Sequence, residues 1–464
     1  MKDHQQRVEY LKSLKSIRES CQEVYNLSHS NKLEFWSIQP NQLPVLIDYC
    51  TNLIHRDFGT DYHKIPPHGR WRHFLVNDQD RITPLLTSWK STHEDPLEPT
   101  RKLIDLFVVA VLMDAGAGDE WSFQEPTSQP QPQGNQGIGR SEGLAIGTLY
   151  GFMNGLFSSD PQVPHQVDPI GLKSLTLDQL SKSMQSRPGN QIVGLQGRTT
   201  LLNNLGSLLS TPSEFFPSRQ LSRPGNLLDY LMDHPQVRPV PKPVMKGEII
   251  VPVDVLWNLV IDQEKGLGSI WPHLGREQVH GQFIGDVWNC KALETSKSQT
   301  LQDGFVSFHK LSQWLTYSLI EVMEKTLGWI FTGKEQMTGL PEYRNGGLLI
   351  DLDYLKPKPE AFINSLSLQS SIENFDLQDL PALPASHPAI IEWRALTVIG
   401  LDQIKEGINQ RLGLVGKKNE LSLVQVLEAA TWKGGREIAW KKRSVGGLGS
   451  AGPPLKVVSD GTIF

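Results

Sequence analysis

The segment GFVSFHKLSQWLTYSLIEVMEKTLG, residues 304–328, sets apolar side chains at Leu311, Trp314, Leu315, Leu319 and Val322. That recurrence is the stripe of a helix, and the chain repeats the pattern often enough to fix its fold class. PAIIEWRALTVIGLDQIKEGINQRLG carries a second stripe through Ile391, Ala395, Val398, Ile404, Ile408 and Leu412, stopping at Gly413. LSLVQVLEAATWKGGREIAWKKR gives a third, and PVLIDYCTNLIHRDF, PTRKLIDLFVVAVLMDAG, SEGLAIGTLYGFMNGLF and QGRTTLLNNLGSLLS give shorter ones. Strand signal is thin, with GGLLIDLDYL the best case. The expected fold is therefore mainly α. Irregular segments are expected near 122–140 (rich in Gln, Pro and Gly), 234–248 (proline-rich and extended), 356–388 (a long connection) and 444–464 (a tail). No internal repeat is visible. Because helices of like character flank each break, residues 1–464 are expected to form a single large helical domain, although 464 residues would also suffice for two or three.

Composition narrows the function classes. With 38% hydrophobic and 20% charged residues the chain reads as globular and soluble. A net charge of −5 argues against nucleic acid as a partner, since no basic face accumulates. The longest apolar run, LIDLFVVAVLM, is too short to span a bilayer and carries Asp105, so it reads as a buried helix and no membrane role is expected. The opening MKDHQQRVEYLKSLKSIRESC is polar, with no apolar signal core. Cys21, Cys50 and Cys290 are too scattered for a disulfide framework or a CxxC site, which suits a reducing cytoplasm.

Several constellations carry chemistry. In TGLPEYRNGGLLIDLDYL, Glu342, Tyr343 and Arg344 precede Gly346 and Gly347, and Asp351 and Asp353 follow. Such a stretch is either a solvated turn or the rim of a pocket for a charged, sugar-like ligand. Asp114 follows directly on the apolar LFVVAVLM, where a carboxylate is either partly desolvated for acid–base work or satisfied by N–H groups of the glycine turn. GIGRSEG is a glycine-rich helix entry with Ser141 as the expected N-cap; beside Arg140 its free N–H groups could hold a phosphate, though loop and cap is the plainer reading. Lys310 and Gln313 share a helix face, which from the residues alone reads as solvated surface. Arg394, on the apolar face of its helix, must find a carboxylate, a phosphate or several carbonyls, and reads as a structural guanidinium. His55, His63, His68 and His73 do not stack on one helix face, and Pro66, Pro67 and Gly69 break the segment, so no metal site is expected.

DAGAGDEW, RSEGLA, TGLPEYRNGGLLIDL, HPAIIEWRALTV, EAATWKGGREIA and SDGTIF, in this order and over nearly the whole chain, resemble the uracil-catabolism protein 4 family. That resemblance implies a role in pyrimidine degradation, on a route that converts uracil to its ribonucleotide, opens the ring and passes through ribosylurea-type intermediates. The segments around Asp114, RTTLLNNLG, FHKLSQWL, PEYR, EWRALTV and LEAATW are also similar, more distantly, to the queuosine 5′-phosphate N-glycosylase family. This second similarity implies a helix-hairpin-helix, DNA-glycosylase-like fold that hydrolyses a base–ribose bond. Lys310 and Gln313 match a Lys and a Gln of that family. Glu342 and Arg344 match an Asp-Tyr-Arg motif, with Glu342 one methylene longer than the Asp it replaces.

Together the similarities imply an N-glycosidase acting on a ring-opened uridine nucleotide. Glu342 and Asp114 are its expected catalytic carboxylates. Lys310, Arg344 and Arg140 are expected at phosphate or ribose, Gln313 and Tyr343 at the leaving group or sugar, and Asp351 as a secondary contact. This chemistry requires neither metal nor organic cofactor. An amidohydrolase acting on the ureido chain, or a non-catalytic partner of the ring-opening enzyme that binds its product, are the alternatives.

Overall fold

The computed structural model describes residues 2–114, 116–118, 120–126, 137–218, 221–241, 247–296, 303–369, 371–444 and 452–458. Helices dominate, and six of them build the region of interest: α1 (Glu98–Leu112), α2 (Arg140–Met153), α3 (Lys310–Leu327), α4 (Tyr343–Asp351), α5 (Pro388–Arg411) and α6 (Trp432–Arg443). α3 packs on α1, and α4 lies between α5 and α6. α5 also packs on Leu14–His29 and Leu43–Phe58, so elements from both ends of the chain meet on it. Strands are short, and among the described residues the largest sheet has three, with Ile249–Pro252 between Ile330–Thr332 (parallel) and Arg238–Pro239 (antiparallel). Most buried apolar side chains form one continuous cluster reaching from Leu14 to Leu455, and Val8, Leu11, Val279, Ile284 and Val287 form a small second one. Among the described residues no helix is long and apolar enough to cross a membrane.

The run LIDLFVVAVLM is the inner part of α1, buried on all sides as its all-round hydrophobicity requires. Its Asp105 is wholly buried and accepts from Arg223 Nε (2.8 Å), Gly225 N (2.7 Å) and Val167 N (3.1 Å). Burial pushes its carboxyl up to about 6, against the pull of Arg223. Asp105→Asn, which keeps the shape but weakens the bonds to Arg223 and the two N–H groups, is expected to cost about 2 kcal/mol, read as a lowered denaturation midpoint.

Three sequence expectations change. GGLLIDLDYL is not a strand: residues 343–351 are helical, and only Leu355–Pro357 is extended, paired antiparallel with Trp36–Ile38. The cause is local and tertiary together. Glu342 caps the helix through its carboxylate, and Gly346 sits where a Cβ would lie 2.7 Å from Trp393 Nε1. Gly346 is thus there for close helix packing, not for a tight turn. The 356–388 connection contains a helix, Pro359–Leu366, anchored by the buried Phe362 against Phe35. Finally, the third long stripe is interrupted at Leu427–Thr431 by a π-helical turn. Of the irregular segments, 122–123 and 138–139 pair as a short ladder around residues 127–136, which lie outside the described residues with most of the tail.

Candidate functional site

α2, α3 and α4 begin at one cavity of about 160 Å³, and Asp114, just past the end of α1, stands on its wall. Arg140, Lys310, Glu342, Tyr343 and Arg344 line it too. Six of the eight residues singled out as catalytic or substrate-binding therefore face one space, although they come from four separated segments. Three helix N-termini meet at the same place, those of α3 and α4 already met by the carboxylates of Asp286 and Glu342, and the cations Lys310, Arg140 and Arg344 on the lining favour an anionic ligand. The cavity adjoins a wider mouth of about 850 Å³, and Arg72, Arg140, Arg344 and Trp432 line both.

The two acids are held differently. Asp114 Oδ2 lies 2.9 Å from Nη1 of Arg70, a guanidinium with 0% exposure, so among the described residues Asp114 pairs with a buried cation rather than with N–H groups of the glycine turn. Arg198 braces that turn by donating to the carbonyls of Met113 (2.9 Å) and Gly116 (3.2 Å), and to Val193. Glu342 accepts from the N–H of Arg344 through Oε2 and of Asn345 through Oε1, both at 2.7 Å. Each oxygen keeps a second lone pair. Burial raises the Glu342 carboxyl above its ordinary 4.5, offset in part by those N–H groups, Lys310 and Arg344. Lys310 is pulled below its ordinary 10.5 by burial, opposed first by Glu342 and then by Asp114.

Further side chains fix these positions. Asp286 accepts the N–H of Lys310 (3.1 Å) and both terminal nitrogens of Arg394 (2.7 and 2.6 Å). Burial would raise the Asp286 carboxyl, but Arg394 overcomes it and holds the group well below its ordinary range. Arg394 also reaches the Pro341 carbonyl (3.4 Å) and lies 4.1 Å over the Phe308 ring. It thus plays the structural part expected of it, joining the start of α3 to the turn that carries Glu342. Arg344 stacks over Tyr343 and Trp432, at 5.2 and 5.0 Å. Arg140 adopts φ +57°, a left-handed conformation costing about 1–3 kcal/mol in a non-glycine residue. Ser141 is not the N-cap of α2; Gly139 holds that position with no side-chain cap, and Ser141 lines the cavity instead.

Gln313 and Asp351 lie elsewhere. Gln313 is fully buried one turn into α3, where its amide accepts from Thr338 N (2.8 Å) and donates to Thr338 Oγ1 (2.9 Å) and the Phe308 carbonyl (3.2 Å). Asp351 forms a bidentate pair with Arg443 at 2.6 and 2.7 Å, tying α4 to α6. Asp353 is exposed.

Conversely, His68, Arg72, His73, Trp314 and Trp432 line the cavity without having been singled out as ligand contacts. His68 Nδ1 (2.7 Å) and Arg72 Nε (2.8 Å) both meet Glu428, which the π-helical turn presents, as such turns commonly do at functional sites. Burial would raise the Glu428 carboxyl, but Arg72 and His68 keep it below its ordinary value. A metal-spacing test looks for one helix face and misses these histidines; the denser signal was HGRWRHF itself, two cations and two imidazoles around an aromatic.

Known proteins match this chain from end to end. "Uracil catabolism protein 4" of Lachancea kluyveri is 37% identical over 463 residues, covering 98% of this chain and 99% of that protein. "Protein urg3" of Schizosaccharomyces pombe is 36% identical over 460 residues, covering 98% of each. With residues 10–464 also matching the family model described as "Protein of unknown function (DUF1688)", the chain belongs to that family.

Proposed function

We propose that this protein acts in uracil catabolism as an N-glycosidase, hydrolysing the ribose–nitrogen bond of a ring-opened uridine nucleotide such as a ribosylurea 5′-phosphate. The products are ribose 5-phosphate and urea or a ureido acid. The pathway comes from the name of a full-length relative. The reaction rests most heavily on one observation: Asp114 and Glu342, far apart in the chain, line one cavity with Lys310, Arg140 and Arg344. The helix-hairpin-helix glycosylase architecture belongs to the same proposal, and the mainly helical fold accords with it.

The chemistry follows from charge. Breaking an N-glycoside builds positive charge on C1′ and the ring oxygen, and a fixed carboxylate facing it favours the transition state over the ground state. Glu342, held by two N–H groups, takes that role. Asp114, anchored by Arg70, orients water and accepts its proton as the water oxygen bonds to C1′. The C1′–N bond breaks with its electron pair on nitrogen, and the Lys310 ammonium, eased toward proton release by burial, protonates that nitrogen. Arg344 and Arg140 face the phosphate.

Purified protein mixed with the ring-opened product of UMP should release ribose 5-phosphate. Ammonia release with the ribose retained would make it an amidohydrolase instead, and binding without turnover would remove the enzyme reading. The pH profile is a second check. Glu342 must be ionised and Lys310 protonated, so kcat should fall on the acid side through a pKa above 4.5 and on the alkaline side through one below 10.5.

A further inference from the structure

His73 and Trp314 are buried, line the cavity, and stand with ring centroids 6.0 Å apart. His73 Nδ1 lies 3.1 Å from Nη1 of the buried Arg70. A guanidinium can only donate, so Nδ1 accepts and the ring proton is on Nε2. Burial, with Arg72 and Arg70 beside it, holds the imidazole well below 6.5 and therefore neutral. Nε2–H is then a fixed donor, and among the described residues it meets no acceptor. Trp314 Nε1–H, a donor by its nature, is likewise buried without an acceptor. Native structures seldom leave one such group unpaired, and here two neighbours on one cavity wall share the condition.

Two further polar groups beside them are already engaged. His68 and Arg72 are both taken up by Glu428. Of the buried N–H groups here without a hydrogen-bond partner, those of Arg70 (Nε and Nη2) and Arg72 (Nε) belong to guanidiniums already ion-paired with Asp114 and Glu428, and the two neutral ones are His73 Nε2 and Trp314 Nε1. An anionic group would be drawn to Lys310 and Arg344, whereas two neutral donors suit a strong neutral acceptor, the oxygen of a carbonyl. We propose that His73 Nε2–H and Trp314 Nε1–H together hold the carbonyl oxygen of a neutral ureide or amide carried by the ligand. The substrate class narrows accordingly to an anionic sugar bearing an uncharged carbonyl group on C1′. This rests on reading the cavity as a site for a nucleotide-derived ligand, and it makes the two residues selectors of the departing group.

The test separates selection from turnover. Two carbocyclic sugar phosphates, with CH₂ in place of the ring oxygen and so resistant to cleavage, would differ only in carrying urea or hydrogen at the carbon corresponding to C1′. Titration calorimetry should show the protein preferring the urea-bearing compound. Trp314→Phe should shrink that preference about tenfold with far less change for the hydrogen-bearing compound, and His73→Phe, which also takes the acceptor from Arg70, should still weaken the urea-bearing compound about tenfold more than the other. His73→Gln, which keeps a donor, should retain most of the preference. No preference in the unaltered protein, an undiminished preference in both Phe variants, or parallel loss of the two compounds would each overturn the proposal. Ribose 5-phosphate release from authentic substrate is measured separately, so failure of the hydrolase reading leaves the binding result standing, and the reverse holds too.

Discussion

Glu342→Gln is expected to lower kcat by about a hundred- to a thousandfold with little change in ligand affinity. The size is typical of removing one group that stabilises transition-state charge. Gln is nearly isosteric with Glu and can still accept at the start of α4, where Glu342 binds the N–H groups of Arg344 and Asn345. Loss of the helix cap is therefore partial, whereas loss of the negative charge is complete. A steady-state kcat and a separately measured dissociation constant distinguish the two contributions. If Glu342 served only as a cap, kcat would stay within a few-fold of normal and the unfolding midpoint would carry the change.

Arg394→Met is expected to give the largest loss of stability, about 3–5 kcal/mol at neutral pH, because it leaves the largely buried Asp286 carboxylate without its bidentate cation. The pH dependence has a definite sign. With Arg394 present, the depressed Asp286 pKa contributes stability above the unfolded value of 3.8, lost as pH falls through the folded value. Without Arg394 the strongest lowering influence is gone, and burial, opposed now by Trp288 and Arg276, pushes the Asp286 carboxyl up. The variant then gains stability on acidification until Asp286 is protonated. The gap between the two proteins should narrow as pH falls, and denaturant midpoints taken across the acid range would show it. Adding Asp286→Leu to the variant should recover part of the loss at neutral pH, since the unpaired charge is gone. Turnover should suffer as well, because this pair joins Lys310 to the Pro341 turn before Glu342.

The helices were legible because each buries a continuous stripe, and Lys310, Glu342 and Arg344 reach the cavity as the first residues of helices or their cap. Legibility failed where a residue's partner is distant in sequence. Lys310 and Gln313 share a helix face, yet one turn suffices to carry Gln313 under Thr338 and out of reach of the cavity. Asp351 looked available until Arg443, late in the chain, claimed it. The strand pattern of residues 346–355 lost to the Glu342 cap and to the close approach of Gly346 to Trp393. His73 and Trp314 became candidates only through a geometric fact, that neither donor finds an acceptor.

Central to this reading is the convergence of two carboxylates on one anomeric carbon, and a structure of the protein with the urea-bearing carbocyclic sugar phosphate tests it most directly. The expected result places the C1′-equivalent carbon between Asp114 and Glu342, with the phosphate toward Arg344 and Arg140. A ligand seated with that carbon remote from both acids, or bound outside the cavity altogether, would contradict it.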